Sequence, residues 1–145
     1  LHEQLMRSPG DEDAMMALAL AYIDVGDYKQ AMIIAKKALE NKTEEQNAAK
    51  AAAYNMLGLA HLYDHNDAMA KNALKQALTQ NPDAVGAGIN LAGLYSHYGH
   101  TEKAAAIYEN LNTRNIDRSA TSQAVHPRAK ELYDDSIQLA ENQNL

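Results

Sequence analysis

One stretch constrains the rest of the chain: Ala51 to Ala84, AAAYNMLGLAHLYDHNDAMAKNALKQALTQNPDA. Large residues recur there at helical spacing, with Tyr54, Leu57 and His61 on one face. Small residues, Gly58, Ala70 and Ala77, sit between them, and two helices can approach closely only where side chains are nearly absent. A polar break, Asp64-His65-Asn66-Asp67, divides the stretch, and Asn81-Pro82 closes it. The pattern predicts two antiparallel helices joined by a tight turn. With Ala and Leu abundant and Phe and Trp absent, the composition favours helix over sheet and an all-α fold.

The flanking sequence repeats this design. Leu1 to Arg7 reads as the tail of a helix stopped by Ser8-Pro9-Gly10. Asp11 can cap a helix over about Glu12 to Val25, whose first turn is acidic, as the positive end of the helix dipole favours. Gly26-Asp27 breaks it, and Asp27 with Gln30 resembles a capping box that opens Tyr28 to Asn41. Thr43-Glu44-Glu45-Gln46 is a second such pattern. It predicts an early start near Glu44 for the next helix, about 21 residues and about 31 Å long. A third pair follows, Pro82 to Tyr98 and Glu102 to Asn112, then an aperiodic polar stretch from Thr113 to Val125. Pro127 can open a last helix, Arg128 to Asn142, with Ala129, Leu132, Tyr133, Ile137 and Ala140 on its inner stripe.

Alignment of the pairs exposes a repeat. Leu18-Ala19, Leu57-Gly58 and Leu91-Ala92 are equivalent, as are Ala31, Ala70 and Ala104, at intervals of 39 and 34 residues. The extra residues fall in the early start of the central helix. The chain resembles the tetratricopeptide-repeat (TPR) family. The motif of a large residue, Leu, a small residue and Tyr is carried by Met15, Leu18, Ala19 and Tyr22, then Tyr54, Leu57, Gly58 and His61, then Gly88, Leu91, Ala92 and Tyr95. The downstream positions are Ala31, Ala35, Ala38 and Thr43, then Ala70, Leu74, Ala77 and Pro82, then Ala104, Tyr108, Leu111 and Ile116. His61, Gly88 and Leu111 depart from the pattern, so the third repeat is expected to pack differently. The resemblance implies one solenoid domain: residues 1–10 end a partial repeat, three repeats span 11–43, 44–84 and 85–118, and 127–142 cap the array.

Several chemistries find little support. The net charge of −6 disfavours a nucleic-acid partner, which needs clustered Lys and Arg. No apolar run is long enough to insert in a membrane. Absence of Cys removes disulfides, thiol nucleophiles and cysteine zinc sites. Nothing near Leu1 reads as a signal peptide, so the compartment stays open between envelope and cytoplasm. His61 and His65, with His97 and His100, have a spacing that could hold a metal alongside Asp64 or Asp67. They read better as a core residue and turn residues, and no metal or cofactor is expected. Ser, His and Asp occur without an activating motif, and Asp134-Asp135 reads as a solvated helix face, so no catalytic residues are assigned and no enzyme is expected.

The resemblance implies a concave surface built from the first helix of each pair, where a peptide or helix of another protein would bind. Mapped by position, it offers Met16, Leu20, Ile23 and Asp24, then Asn55, Met56, Leu59, Leu62 and Tyr63, then Ile89, Asn90, Gly93, Ser96 and His97. None of these is Lys or Arg, which disfavours the clamp that some TPR proteins place on a terminal carboxylate. Asn55 and Asn90 can bond a peptide backbone, and methionine adapts to varied apolar partners. Some of these residues, about a third, are expected to pack between neighbouring first helices instead, and Leu59 is expected to face solvent. Gly86 and Gly93, seven apart, each cost a helix about 1 kcal/mol relative to Ala. They imply either a floor for a bulky partner side chain or the close approach of another helix of the chain. By analogy with short TPR proteins of pili, secretion or motility machines, the expected role is a scaffold in bacterial envelope assembly. A self-associating scaffold and a histidine-based metal-binding module are the alternatives.

Overall fold

A computed structural model describes residues 12–40, 42–113 and 124–143, and among them the secondary structure is entirely helical. Three antiparallel pairs come first: α1 (Glu12–Asp24) with α2 (Tyr28–Glu40), α3 (Asn47–Tyr63) with α4 (Asp67–Gln80), and α5 (Val85–His97) with α6 (Thr101–Thr113). The last helix, α7 (Pro127–Gln143), packs on α5. Residues 1–11, the sequence's partial repeat and the Asp11 cap, lie outside the described residues, as do 114–123 of the polar stretch.

The three turns within the pairs share one mechanism. Each first helix ends with a residue in the left-handed region: Gly26 (φ 85°), His65 (φ 59°) and Gly99 (φ 78°). In each turn that residue's N–H bonds the carbonyl three back, and the next N–H bonds the carbonyl five back. Asp27 to Tyr22, Asn66 to His61 and His100 to Tyr95 all span 2.8 Å. This Schellman arrangement satisfies carbonyls that a helix end leaves orphaned. Two glycines adopt it freely; His65 does so at a cost of roughly 1–2 kcal/mol.

Small residues set the spacing of the pairs, as the sequence predicts. Ala19, Ala31, Ala70 and Ala92 are fully buried. A Cβ on Gly58 would stand 2.7 Å from Leu74 Cγ, so the α3–α4 crossing is too close for any side chain there. The third pair departs from the motif by a reciprocal exchange of size. Gly88 replaces a large residue and Leu111 a small one, and Leu111 Cδ1 lies 3.4 Å from where a Gly88 Cβ would be. The leucine fills the room that the glycine leaves.

Two helix starts need correction. The third pair opens at Val85 rather than Pro82, since Pro82 and Asp83 form a turn. Half of the Thr43–Gln46 box forms, with the Thr43 N–H donating to Gln46 Oε1 at 2.9 Å while the Gln46 N–H bonds the Thr43 carbonyl, but Gln46 is non-helical and α3 begins at Asn47. The box caps a single isolated turn and the helix starts after it, so α3 has 17 residues rather than 21. Lys42 just before this turn pairs with Glu12 of α1 and is almost wholly covered.

The apolar interior runs in three linked clusters. The first joins α1, α2 and α3 around Met15, Ile34 and Met56. The second joins α3, α4, α5 and α6 around Leu74, Leu91 and Ala104. The third seats α7 on the third pair through Val85, Ile89, Leu111, Ala129 and Tyr133. On α7, Ala129 and Tyr133 are buried and Leu132 and Ile137 half-buried, but Ala140 is exposed because the helix has outrun the pair beneath it.

Candidate protein-interaction groove

The first helices of successive pairs touch, α1 with α3 and α3 with α5, and together with α7 they frame a concave surface. Its centre holds two polar residues on otherwise apolar helices. Asn90 is 1 % exposed and Asn55 7 %. Burying an amide costs free energy unless its hydrogen bonds are met, and both are satisfied by the backbone of residues 124–126. Asn55 Nδ2 and Asn90 Nδ2 donate to the Ala124 carbonyl at 3.1 and 2.9 Å. The His126 N–H donates to Asn90 Oδ1 at 2.8 Å. Asn90 Nδ2 also donates to Asn55 Oδ1 at 2.8 Å, so the two amides form a ladder across the groove.

An imidazole finishes the contact. The His126 ring lies 4.8 Å from the Tyr63 ring, which stacks in turn on Tyr28 at 5.7 Å. The Arg128 N–H donates to His126 Nδ1 at 3.1 Å, which requires that nitrogen to be unprotonated. Burial, and then the nearby His65, push the His126 pKa down, in keeping with that bond. Burial, followed by the charge of Asp24, pushes the Tyr63 phenol up. Ala124 takes φ 55°, an unfavourable value for a residue with a Cβ. Three hydrogen bonds to the segment, at roughly 1 kcal/mol net each, outweigh that strain of roughly 1–2 kcal/mol by a small margin.

The segment divides the concave surface into two cavities. One, of about 300 Å³, is walled by Met16, Leu20, Ala52, Met56, Gly86 and Ala124, with Asp13 at its rim. The other, of about 270 Å³, lies among Leu62, His65, Asp67, His97, His126 and Arg128.

The predicted groove residues separate accordingly. Met16, Leu20 and Asn55 meet at the first cavity, and Leu62, Asn90, Gly93 and His97 at the second. Tyr63 holds the His126 ring, Asp24 is exposed near Tyr63, and half-buried Ser96 faces Tyr108. Ile23, Met56, Leu59 and Ile89 are core residues. Leu59 in particular does not face solvent: it is 2 % exposed and packs in the first cluster, because adjacent first helices touch along the stripe it occupies. The paired glycines separate: Gly86 lines the first cavity, whereas Gly93 lies under α7. A Cβ there would come within 2.7 Å of Ala129 Cβ, so its absence admits another helix of the same chain.

Ala124 and His126 are the residues of the candidate site that sequence reasoning misses. They lie at or beside an aperiodic polar stretch, where periodicity has no signal. The available hint was indirect: two asparagines 35 residues apart on apolar helices both need a backbone partner. Of the histidines of the metal alternative, His65 and His97 line the second cavity with Asp67, apart from His61 and His100. His61 is a core residue with a depressed pKa, owing first to burial and then to Lys36, and neither of its ring nitrogens has a hydrogen-bond partner among the described residues. Among the described residues no group of three or more His, Asp or Glu side chains could hold a metal.

Two family descriptions match the sequence, both reading "Tetratricopeptide repeat", over residues 12–44 and 63–120. The chain belongs to the TPR family. Among solved structures it is similar to the one titled "Crystal structure of MamA", with a TM-score of 0.63 over 99 % of this chain and 86 % of that one. At 20 % identity that likeness concerns the TPR solenoid fold alone. No curated protein matches the chain. TPR proteins are in general scaffolds for interactions with other proteins rather than catalysts, and this one is a TPR scaffold. Among its described residues no helix is long and apolar enough to cross a membrane.

Proposed function

We propose that this TPR protein binds a non-helical segment of a partner protein along its concave surface, reading the partner's backbone through Asn55 and Asn90. The observation that carries the reading is the ladder of two buried amides, which bonds a backbone carbonyl and the N–H two residues later without demanding particular side chains. The apolar wall of Met16 and Leu20 beside the ladder supplies area for side chains of the partner. No Lys or Arg stands at the fourteen mapped positions, so recognition of a terminal carboxylate is disfavoured. By analogy with short TPR proteins of pili, secretion and motility machines, the role is assembly of a bacterial envelope machine.

Position-specific photocrosslinking in the native cell tests this. A crosslinking residue in place of Leu20, on the cavity wall, should trap a partner chain, and adding Asn55→Ala should weaken the trap. The same residue in place of Met69, exposed on α4, should trap little. A partner caught only through Met69 would move the interaction surface off the groove.

A further inference from the structure

The groove described above already has an occupant, and its nature says what kind of partner fits. Residues 124–126 are not helical, and their hydrogen bonds to the concave surface are made by backbone groups, while Ala124 and Val125 pack on the first and third clusters. The Ala124 carbonyl takes both asparagines, the His126 N–H takes the Asn90 oxygen, and the His126 ring lies against Tyr63. We propose that this segment is a resident ligand: the partner is a peptide that displaces it by presenting a small residue and, two positions later, a flat ring. The inference rests on the groove reading and specifies its ligand.

Three features favour an exchangeable occupant over a permanent plug. Buried amides suit a surface that must be stable both covered and open, because water can satisfy Asn55 and Asn90 once the segment leaves. A leucine or methionine at either position would leave the Ala124 carbonyl or the His126 N–H without a partner when covered, and would face water when exposed. Second, the segment has its own strain, Ala124 at φ 55°, which a partner with glycine or an unstrained backbone there would not carry. Third, the polar anchors of the segment are not those of α7. Val85, Ile89, Leu111 and Gly93 hold the helix through Ala129 and Tyr133, whereas residues 124–126 bond Asn55 and Asn90 and lie against Tyr63, sharing with the helix only the packing of Val125 on its cluster. Release of the segment gives up that Val125 contact and leaves Ala129 and Tyr133 seated. A competing occupant lowers the apparent affinity for a ligand in trans by the fraction of time the site is open.

The test uses the full chain and an acetylated, fluorophore-tagged peptide, Ala-Val-His-Pro-Arg, the sequence of residues 124–128. Fluorescence anisotropy should show the peptide binding a His126→Gly chain at least ten-fold more tightly than the unmodified chain, since the variant loses the Tyr63 contact of the resident segment. Asn90→Ala in the same background should abolish that gain. Hydrogen exchange on the unmodified chain gives a second reading that needs no variant. The His126 amide should exchange at least ten-fold faster than the Tyr133 amide, and saturating peptide should speed it further while Tyr133 stays protected. Equal affinity for the two chains, no binding to the opened variant, or common exchange of His126 and Tyr133 would each overturn the proposal. So would a His126→Gly chain that dimerises in light scattering, because the occupant would then be a second copy. A peptide that binds while His126 stays protected also overturns it, yet leaves the groove reading intact. That reading falls only with the crosslinks.

Discussion

Replacing Gly93 by alanine tests how α7 is seated, and two opposing effects decide the sign. Gly93 lies inside α5, so alanine gains about 1 kcal/mol of helix propensity. Against this, the new Cβ would sit 2.7 Å from Ala129 Cβ and 3.0 Å from Ala129 Cα, where carbon atoms prefer roughly 3.5–4.0 Å. The obstruction includes backbone, so no rotamer change relieves it, and α7 must withdraw by about 1 Å. A gap of that size forfeits about a quarter to a half of each dispersion contact, which here concerns Ala129 and Tyr133 on Val85, Ile89 and Leu111. Overpacking of this kind costs roughly 1–3 kcal/mol, so the variant should be less stable by up to about 2 kcal/mol net of propensity. Urea unfolding followed by circular dichroism measures the loss as a lower midpoint at unchanged slope. Ala129→Gly should restore part of it in the double variant, with a coupling of at least about 1 kcal/mol. A Gly93→Ala chain stabilised by the full propensity gain would refute close packing at this contact.

Other outcomes follow from burial, backbone strain and titration. Leu59→Glu places a charge without a partner in the first cluster and should cost more than about 3 kcal/mol, enough to lower the melting temperature sharply by circular dichroism; an unchanged melt would put Leu59 outside the core. His65→Gly relieves a left-handed histidine and should raise stability by about 1 kcal/mol in urea titration, matching the glycines of the other two turns. Folding lowers the pKa of both His61 and His126, so between the lowered values and about 6.5 the unfolded chain binds more protons. Stability should be fully present above about pH 6.5 and fall as pH drops below it, and thermal melts of a His126→Asn chain should show a shallower decline.

The helical pairs are legible in the sequence because each rests on local chemistry: periodic large residues, alanine or glycine at the crossings, and a turn with one left-handed residue. The exchange between Gly88 and Leu111 is legible only as two anomalies. Their cancellation is a contact between different helices, which periodicity along one helix does not encode. The start of α3 is misjudged because a capping box reports a satisfied turn, whether or not a helix continues from it. Leu59 shows a further limit. A residue on the concave side of a first helix can face the groove or the neighbouring first helix, and the choice depends on how far successive pairs rotate. Asn55 and Asn90 are readable as backbone-bonding residues. That the backbone they bond belongs to Ala124 and His126 is a contact spanning 69 and 36 residues, and nothing local to either end announces it.

That long span also orders events in time. The concave surface is assembled from neighbours in sequence, and its last helix, α5, is complete at His97, about 27 residues before Ala124 is added. At roughly 5–20 residues per second of synthesis, the intervening stretch takes on the order of seconds, whereas helices form in about a microsecond. Every newly made chain therefore passes through an interval in which Asn55 and Asn90 have left the ribosome and residues 124–126, though already joined to the chain, have not yet emerged to cover them. On the proposed reading, a partner made nearby would meet the site without a competitor during that interval, and afterwards only by displacement.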